Sequence, residues 1–168
     1  MHSKNRKIVM TALMMSLVCV ATMLIKIPLP FKGYLNLGDC IVLIVGWTLP
    51  CGYGFLAAGV GSALADLFSG YVVYAPATFI IKGAMSLIAF ACFKLMKNNI
   101  GKLGAQLVGA ILAEIVMVAG YFVFEGFLYG FIPSLVNIPA NAVQGVAGLI
   151  IGIMLIKIFK GTKMLKIE

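Results

Sequence analysis

Charge is scarce in this chain, and acid most of all: five Asp and Glu stand against 13 Lys and Arg in 168 residues, and charged residues make up 11% of the total. A water-soluble domain needs a polar, charged surface, so this scarcity excludes an ordinary soluble fold. Histidine occurs once, as His2, which argues against histidine-dependent hydrolysis and histidine metal sites. The four cysteines, Cys19, Cys40, Cys51 and Cys92, have no C-x-x-C spacing and read as small apolar fillers. There is no G-x-x-x-x-G-K-[ST] loop to cradle a nucleotide, no internal repeat and no long polar linker. Catalytic residues, metal ligands and cofactors are therefore not assigned, and the chain is read as a single domain over residues 1–168.

What is abundant is apolar sequence, at 62% of residues with a mean hydropathy of +1.11. A bilayer core of roughly 30 Å is crossed by about 20 helical residues, so this length accommodates about six spans. The fold class expected is all-α, an integral membrane bundle of six transmembrane helices. The first span covers 8–27 and stops at Pro28 and Pro30; its full length and the lack of a cleavage pattern distinguish it from a signal peptide. A loop over 31–38 follows, then a short second span from Asp39 to Pro50, which either continues past Pro50 or tilts. Asp39 and Asn36 suit its cap. Further spans are expected over 52–68, 76–96 and 103–124, with a last one from Pro133 or Pro139 to 159. Small residues recur at helical spacing in two of them, Gly54, Ala58, Gly61 and Ala65 in the third and Gly145, Gly148 and Gly152 in the last, which favours close helix contact in lipid.

Basic residues cluster before the first span (Lys4, Arg6, Lys7), around the fourth connection (Lys94, Lys97, Lys102) and at the end (Lys157, Lys160, Lys163, Lys166). With six spans all three clusters fall on one side, the cytoplasmic one. Both termini are then cytoplasmic in a multi-pass cell-membrane protein, and loops 28–38, 69–75 and 125–138 face outward. The net charge of +8 follows from topology and anionic lipid, and nucleic acid is not an expected partner.

Polar side chains at membrane depth are costly unless they pair or line a wet cavity. Asp66, Lys82 and Gln144 each fall about 9 Å below the outer boundary by helical rise, from three different spans. Asn141 shares a face with Gln144 at i, i+3 spacing. One reading is a structural Asp66–Lys82 ion pair. The other is an outward pocket in which these groups contact a polar solute, with Tyr74 and Tyr121 as ring contacts, and the two are compatible. Glu114 lies nearer the midplane as a paired, protonated or pocket-lining acid. Together with Lys82 it also motivates a different class, a self-sufficient ion-coupled carrier or channel. Interfacial tyrosines are mostly membrane anchors, and Asp39 reads as a helix cap before a ligand group.

At these positions the chain resembles the substrate-binding S components of energy-coupling factor (ECF) vitamin transporters. The resemblance runs over the whole chain and is most specific in Gly33-Tyr34-Leu35-Asn36-Leu37-Gly38-Asp39, in the run from Gly61 through Asp66 to Tyr71, in Tyr74-Ala75-Pro76 through Lys82-Gly83, and in Pro139-Ala140-Asn141 followed by Gln144. It implies a six-helix protein that binds a vitamin or precursor near its outer face under a lid formed by the first loop. Asn36 joins Asp66, Lys82, Glu114, Asn141, Gln144, Tyr74 and Tyr121 as an expected substrate contact. The resemblance also implies a membrane T component and two cytoplasmic ATPase subunits as partners, docked through a small-residue face on the first helix. The matching positions here are Ala12 and Ser16, with serine where the family has alanine. One cation, acids, amides and tyrosines suit a small aromatic-ring solute of the pyridoxine, hydroxymethylpyrimidine or riboflavin class, the first two ranked ahead.

Overall fold

A computed structural model describes residues 2–28 and 34–159. Lys32 in the first loop and the basic residues from Lys160 onward lie outside the described residues. In chain order the elements are α1 (His2–Leu24), β1 (Lys26–Pro28), β2 (Tyr34–Asn36), α2 (Gly38–Thr48), α3 (Cys51–Phe68), α4 (Ala75–Met96), α5 (Gly101–Tyr129), α6 (Phe131–Ser134), a 3-10 turn (Leu135–Asn137) and α7 (Ile138–Phe159). Five helices are long and apolar enough to cross a membrane, and α2 is the shorter apolar sixth. A helical membrane bundle is thus what the sequence folds into.

Three boundaries differ from expectation, each for a local reason. The first helix stops at Leu24, and Lys26–Pro28 instead pairs antiparallel with Tyr34–Asn36 in the register Lys26↔Asn36, Ile27↔Leu35 and Pro28↔Tyr34. Pro28 forces extended backbone on its predecessor, and β-branched Ile27 accepts it. The expected loop over 31–38 therefore contains a strand and the first residue of α2. That helix does not pass Pro50: Leu49, just before the proline, is extended at φ −95°, ψ 150°, and Pro50 becomes the N-cap of α3. Helix α5 runs beyond Phe124 to Tyr129, because the first residue needing a left-handed conformation is Gly130, at φ 95°. The outward loop expected over 125–138 is accordingly helical at its start, and Glu125 stays inside a helix.

The long helices pack in the sequence of neighbours α1, α3, α4, α5, α7, and α2 touches all five. Every residue of α2 from Gly38 to Trp47 is buried. A helix apolar on all sides belongs in an interior, and here the interior is the axis of the bundle. The small-residue face of α3 does what its spacing suggests. A Cβ added at Gly61 would stand 2.5 Å from the Met15 carbonyl oxygen of α1, so the two backbones meet with no side chain between them.

Candidate functional site

At the end of the bundle that carries the hairpin, five elements enclose a small chamber of about 30 Å³. Strand β2 contributes Tyr34 and Asn36, α3 contributes Asp66, and α4 contributes Thr78, preceded by Tyr74 at its N-cap. Helix α5 adds Tyr121 and Glu125, and α7 adds Asn141 and Gln144. The polar groups come from the parts of the helices nearest this end: Asp66 precedes the end of α3 by two residues, Glu125 the end of α5 by four, and Asn141 and Gln144 sit in the first two turns of α7. The i, i+4 spacing of Tyr74 and Thr78, and again of Tyr121 and Glu125, puts each pair on one face.

Six expected contacts therefore converge: Asn36, Asp66, Tyr74, Tyr121, Asn141 and Gln144. Lys82 and Glu114 do not reach the chamber. Lys82 lies one helical turn below Thr78, where its Nζ donates to Asp39 Oδ1 and forms a buried ion pair, 5.5 Å from the centroid of the Tyr121 ring. The ion pair expected between Asp66 and Lys82 is thus corrected to Asp39 and Lys82. The reason is geometric: Asp39, one residue into α2, faces α4 and α7 from the bundle axis, whereas Asp66 is claimed by Tyr34, whose hydroxyl donates to Asp66 Oδ1 at 2.6 Å. Capping falls to Asn36 alone, whose Oδ1 accepts from the Gly38 N–H at 2.8 Å.

Glu114 sits two turns deeper on α5. It lines a separate, almost wholly apolar groove of about 550 Å³ between α5 and α7, shared with Ile115, Val118, Val146 and Leu149. Both its carboxyl oxygens are buried without a hydrogen-bond partner, and we have no physical account of that choice of residue. The carrier or channel reading rested on Glu114 and Lys82. The structure gives one an ion-pair partner and sets the other outside the chamber.

A continuous hydrogen-bonded chain ties the hairpin to the bundle axis. Gln144 Oε1 accepts from the Asn36 N–H at 2.8 Å, and Gln144 Nε2 donates to Asp39 Oδ2 at 2.6 Å. Both ends of the Gln144 amide are in use, and Asp39 has a partner on each carboxylate oxygen. A second group surrounds Glu125, which accepts from the Tyr74 hydroxyl at 3.2 Å and from Asn137 Nδ2 at 3.0 Å. Thr78 and Tyr121 share a hydroxyl–hydroxyl bond of 3.0 Å. Burial, and then the neighbouring Asp66 carboxyl, push the Tyr34 pKa up, and burial and Glu125 do the same for Tyr74. Both phenols therefore stay protonated donors.

Sequence reasoning did not assign Glu125, Thr78 or Tyr34 to the site. Glu125 carried a usable signal in its i, i+4 relation to Tyr121, which the expected end of the span at Phe124 concealed. Tyr34 depended on the strand, and a three-residue strand has almost no periodicity to detect.

A family model for the ECF-type riboflavin transporter S component matches residues 2–161. The chain belongs to that family. A relative from Pyrococcus woesei, described as an uncharacterized protein in gap 3'region, is 40% identical over 136 residues, 80% of this chain and 88% of its own. The solved structure of the S component of a bacterial ECF transporter superposes with a TM-score of 0.73 at 24% identity, covering 94% of this chain and 97% of that one, which shows the shared fold. As an S component the protein is a multi-pass membrane subunit of a vitamin-uptake transporter, and its role is substrate binding.

Proposed function

We propose that this S component captures a small ring-bearing vitamin or precursor, of the riboflavin, pyridoxine or hydroxymethylpyrimidine class, in the chamber beneath the β1–β2 hairpin. It then passes the solute inward with a membrane T component and two cytoplasmic ATPase subunits. The observation that carries this reading is the convergence of polar and tyrosyl side chains from β2, α3, α4, α5 and α7 on one buried chamber. A volume near 30 Å³ suits about one water molecule. A ring solute therefore enters only as the lining moves apart, and strand β2, with Tyr34 and Asn36, is a non-helical wall. Calorimetric titration of the detergent-purified protein with riboflavin, pyridoxine and 4-amino-5-hydroxymethyl-2-methylpyrimidine should give micromolar or tighter binding for one of them. Absence of binding by all three would remove the reading.

The same proposal places the chamber on the outer face. Lys4, Arg6 and Lys7 begin α1, Lys94, Lys97 and Lys102 flank the α4–α5 connection, and Lys157 closes α7. All of these lie at the bundle end opposite the chamber, and basic flanks stay cytoplasmic. In intact cells expressing a cysteine-free background, a membrane-impermeant thiol reagent should label Val72→Cys, in the exposed α3–α4 connection, and spare Asn98→Cys. The opposite labelling pattern would invert the orientation.

A further inference from the structure

The chamber is lined by two acids and, among the described residues, by no lysine or arginine. Asp66 is 4% exposed and Glu125 2%, so water screens neither strongly. Donors are already aimed at three of their four oxygens: Tyr34 at Asp66 Oδ1, Tyr74 at Glu125 Oε1 and Asn137 at Glu125 Oε2. Glu125 accepts on both oxygens, as an ionised carboxylate does. The fourth oxygen, Asp66 Oδ2, is buried without a direct hydrogen-bond partner, with the Thr78 hydroxyl close to the carboxyl, so it can accept from a solute donor.

Nearby cations act on this charge only from outside the lining. Lys82 is taken by Asp39. Lys26 donates to Ser69 Oγ, stands 5.5 Å from the Tyr34 ring centroid, and is not part of the lining. Helix ends at this face balance one another: the N-termini of α2, α4 and α7 stand against the C-termini of α1, α3 and α5. At about half a charge per end they cancel and add no positive charge beside the two acids.

We propose that the chamber selects by charge, taking a neutral or cationic ring compound rich in hydrogen-bond donors and rejecting the same compound once it bears a phosphate. This rests on the vitamin-uptake reading and specifies its substrate class. An added phosphate would meet two acids and no lysine or arginine in the lining, and like charges brought together in an interface repel. The free hydroxyl or amino form instead supplies the donor that Asp66 Oδ2 lacks.

The test compares each of riboflavin, pyridoxine and 4-amino-5-hydroxymethyl-2-methylpyrimidine with its phosphate monoester by calorimetry on the purified protein. Whichever compound binds should do so at least about 100-fold more tightly than its phosphate. In Asp66→Asn combined with Glu125→Gln that ratio should shrink to about 10-fold or less while affinity for the free form falls. Size is separated from charge on the wild-type protein itself, since a neutral dimethyl phosphate ester of the same compound should bind more tightly than the charged monoester. Equal affinity for free and phosphorylated forms, or rejection of the neutral ester as complete as that of the anion, overturns charge selection and leaves vitamin uptake standing. Failure of every free and phosphorylated form to bind overturns the uptake reading, and this inference with it.

Discussion

Lys82→Met is expected to destabilise the folded protein by about 3–5 kcal/mol, because it leaves the Asp39 carboxylate buried beside α4 with no counter-ion. Both members of the pair are almost fully buried. Neither can turn to water when its partner is lost, and Gln144 alone would then hold Asp39 through a single amide N–H. Adding Asp39→Asn removes the second charge and should recover most of the lost stability. Adding Asp66→Asn in its place should recover none, since Asp66 is bonded to Tyr34 and not to Lys82. Unfolding midpoints of the three variants in detergent micelles distinguish the pairs directly. Equal rescue by Asp66→Asn and Asp39→Asn would show that the ion pair is shared or misassigned.

Assembly with the transport partners should be lost almost completely in Ala12→Trp or Ser16→Trp, while ligand affinity stays within about twofold of the parent. Both residues are exposed on the surface of α1, and the Ser16 hydroxyl donates to the Ala12 carbonyl at 3.0 Å. Serine thus presents no unmet donor to lipid and keeps the surface low, which is the condition for two membrane helices to meet backbone to backbone. An indole at either position would hold a partner helix several ångströms away. Helix α1 contributes nothing to the chamber lining, so binding has no reason to change. Co-purification from cells expressing the T component and both ATPases, run beside calorimetry, reads the two effects separately. Parallel loss of binding and assembly would mark α1 as structural only.

Much of the bundle was legible because its signals are long. Hydrophobic runs of membrane length, prolines at their ends and three basic clusters each extend over many residues, and no local accident erases them. The candidate site was legible as a level in the membrane: counting helical rise set Asp66 and Gln144 at one depth, Asn141 followed from its i, i+3 spacing to Gln144, and all three line the chamber. Partner choice was not legible by that count. Lys82 and Asp66 sit at similar estimated depths, but depth leaves the angle about each helix axis undetermined, and the angle gives Lys82 to Asp39. Asp39 was hidden for a further reason. Next to a loop, an aspartate looks like a cap, and only the buried start of α2 turns it into an interior charge. Glu114 shows the converse case, since an acid at membrane depth suggests a polar cavity and this one borders an apolar groove apart from the chamber.

The brevity of α2 decides where the chamber is. Its 11 residues span about 16 Å, against roughly 27–44 Å for the five helices around it. Asp39 at its start meets Lys82, which lies six residues past Pro76 and so about 9 Å down α4. The axial helix therefore begins well below the rim of its own palisade, like a piston stopped short of the cylinder head. The chamber lies above it, walled by α3, α4, α5 and α7 and by strand β2, which leads into α2. The space above α2 is accordingly not carved out by small side chains; it is the length of helix that the chain omits.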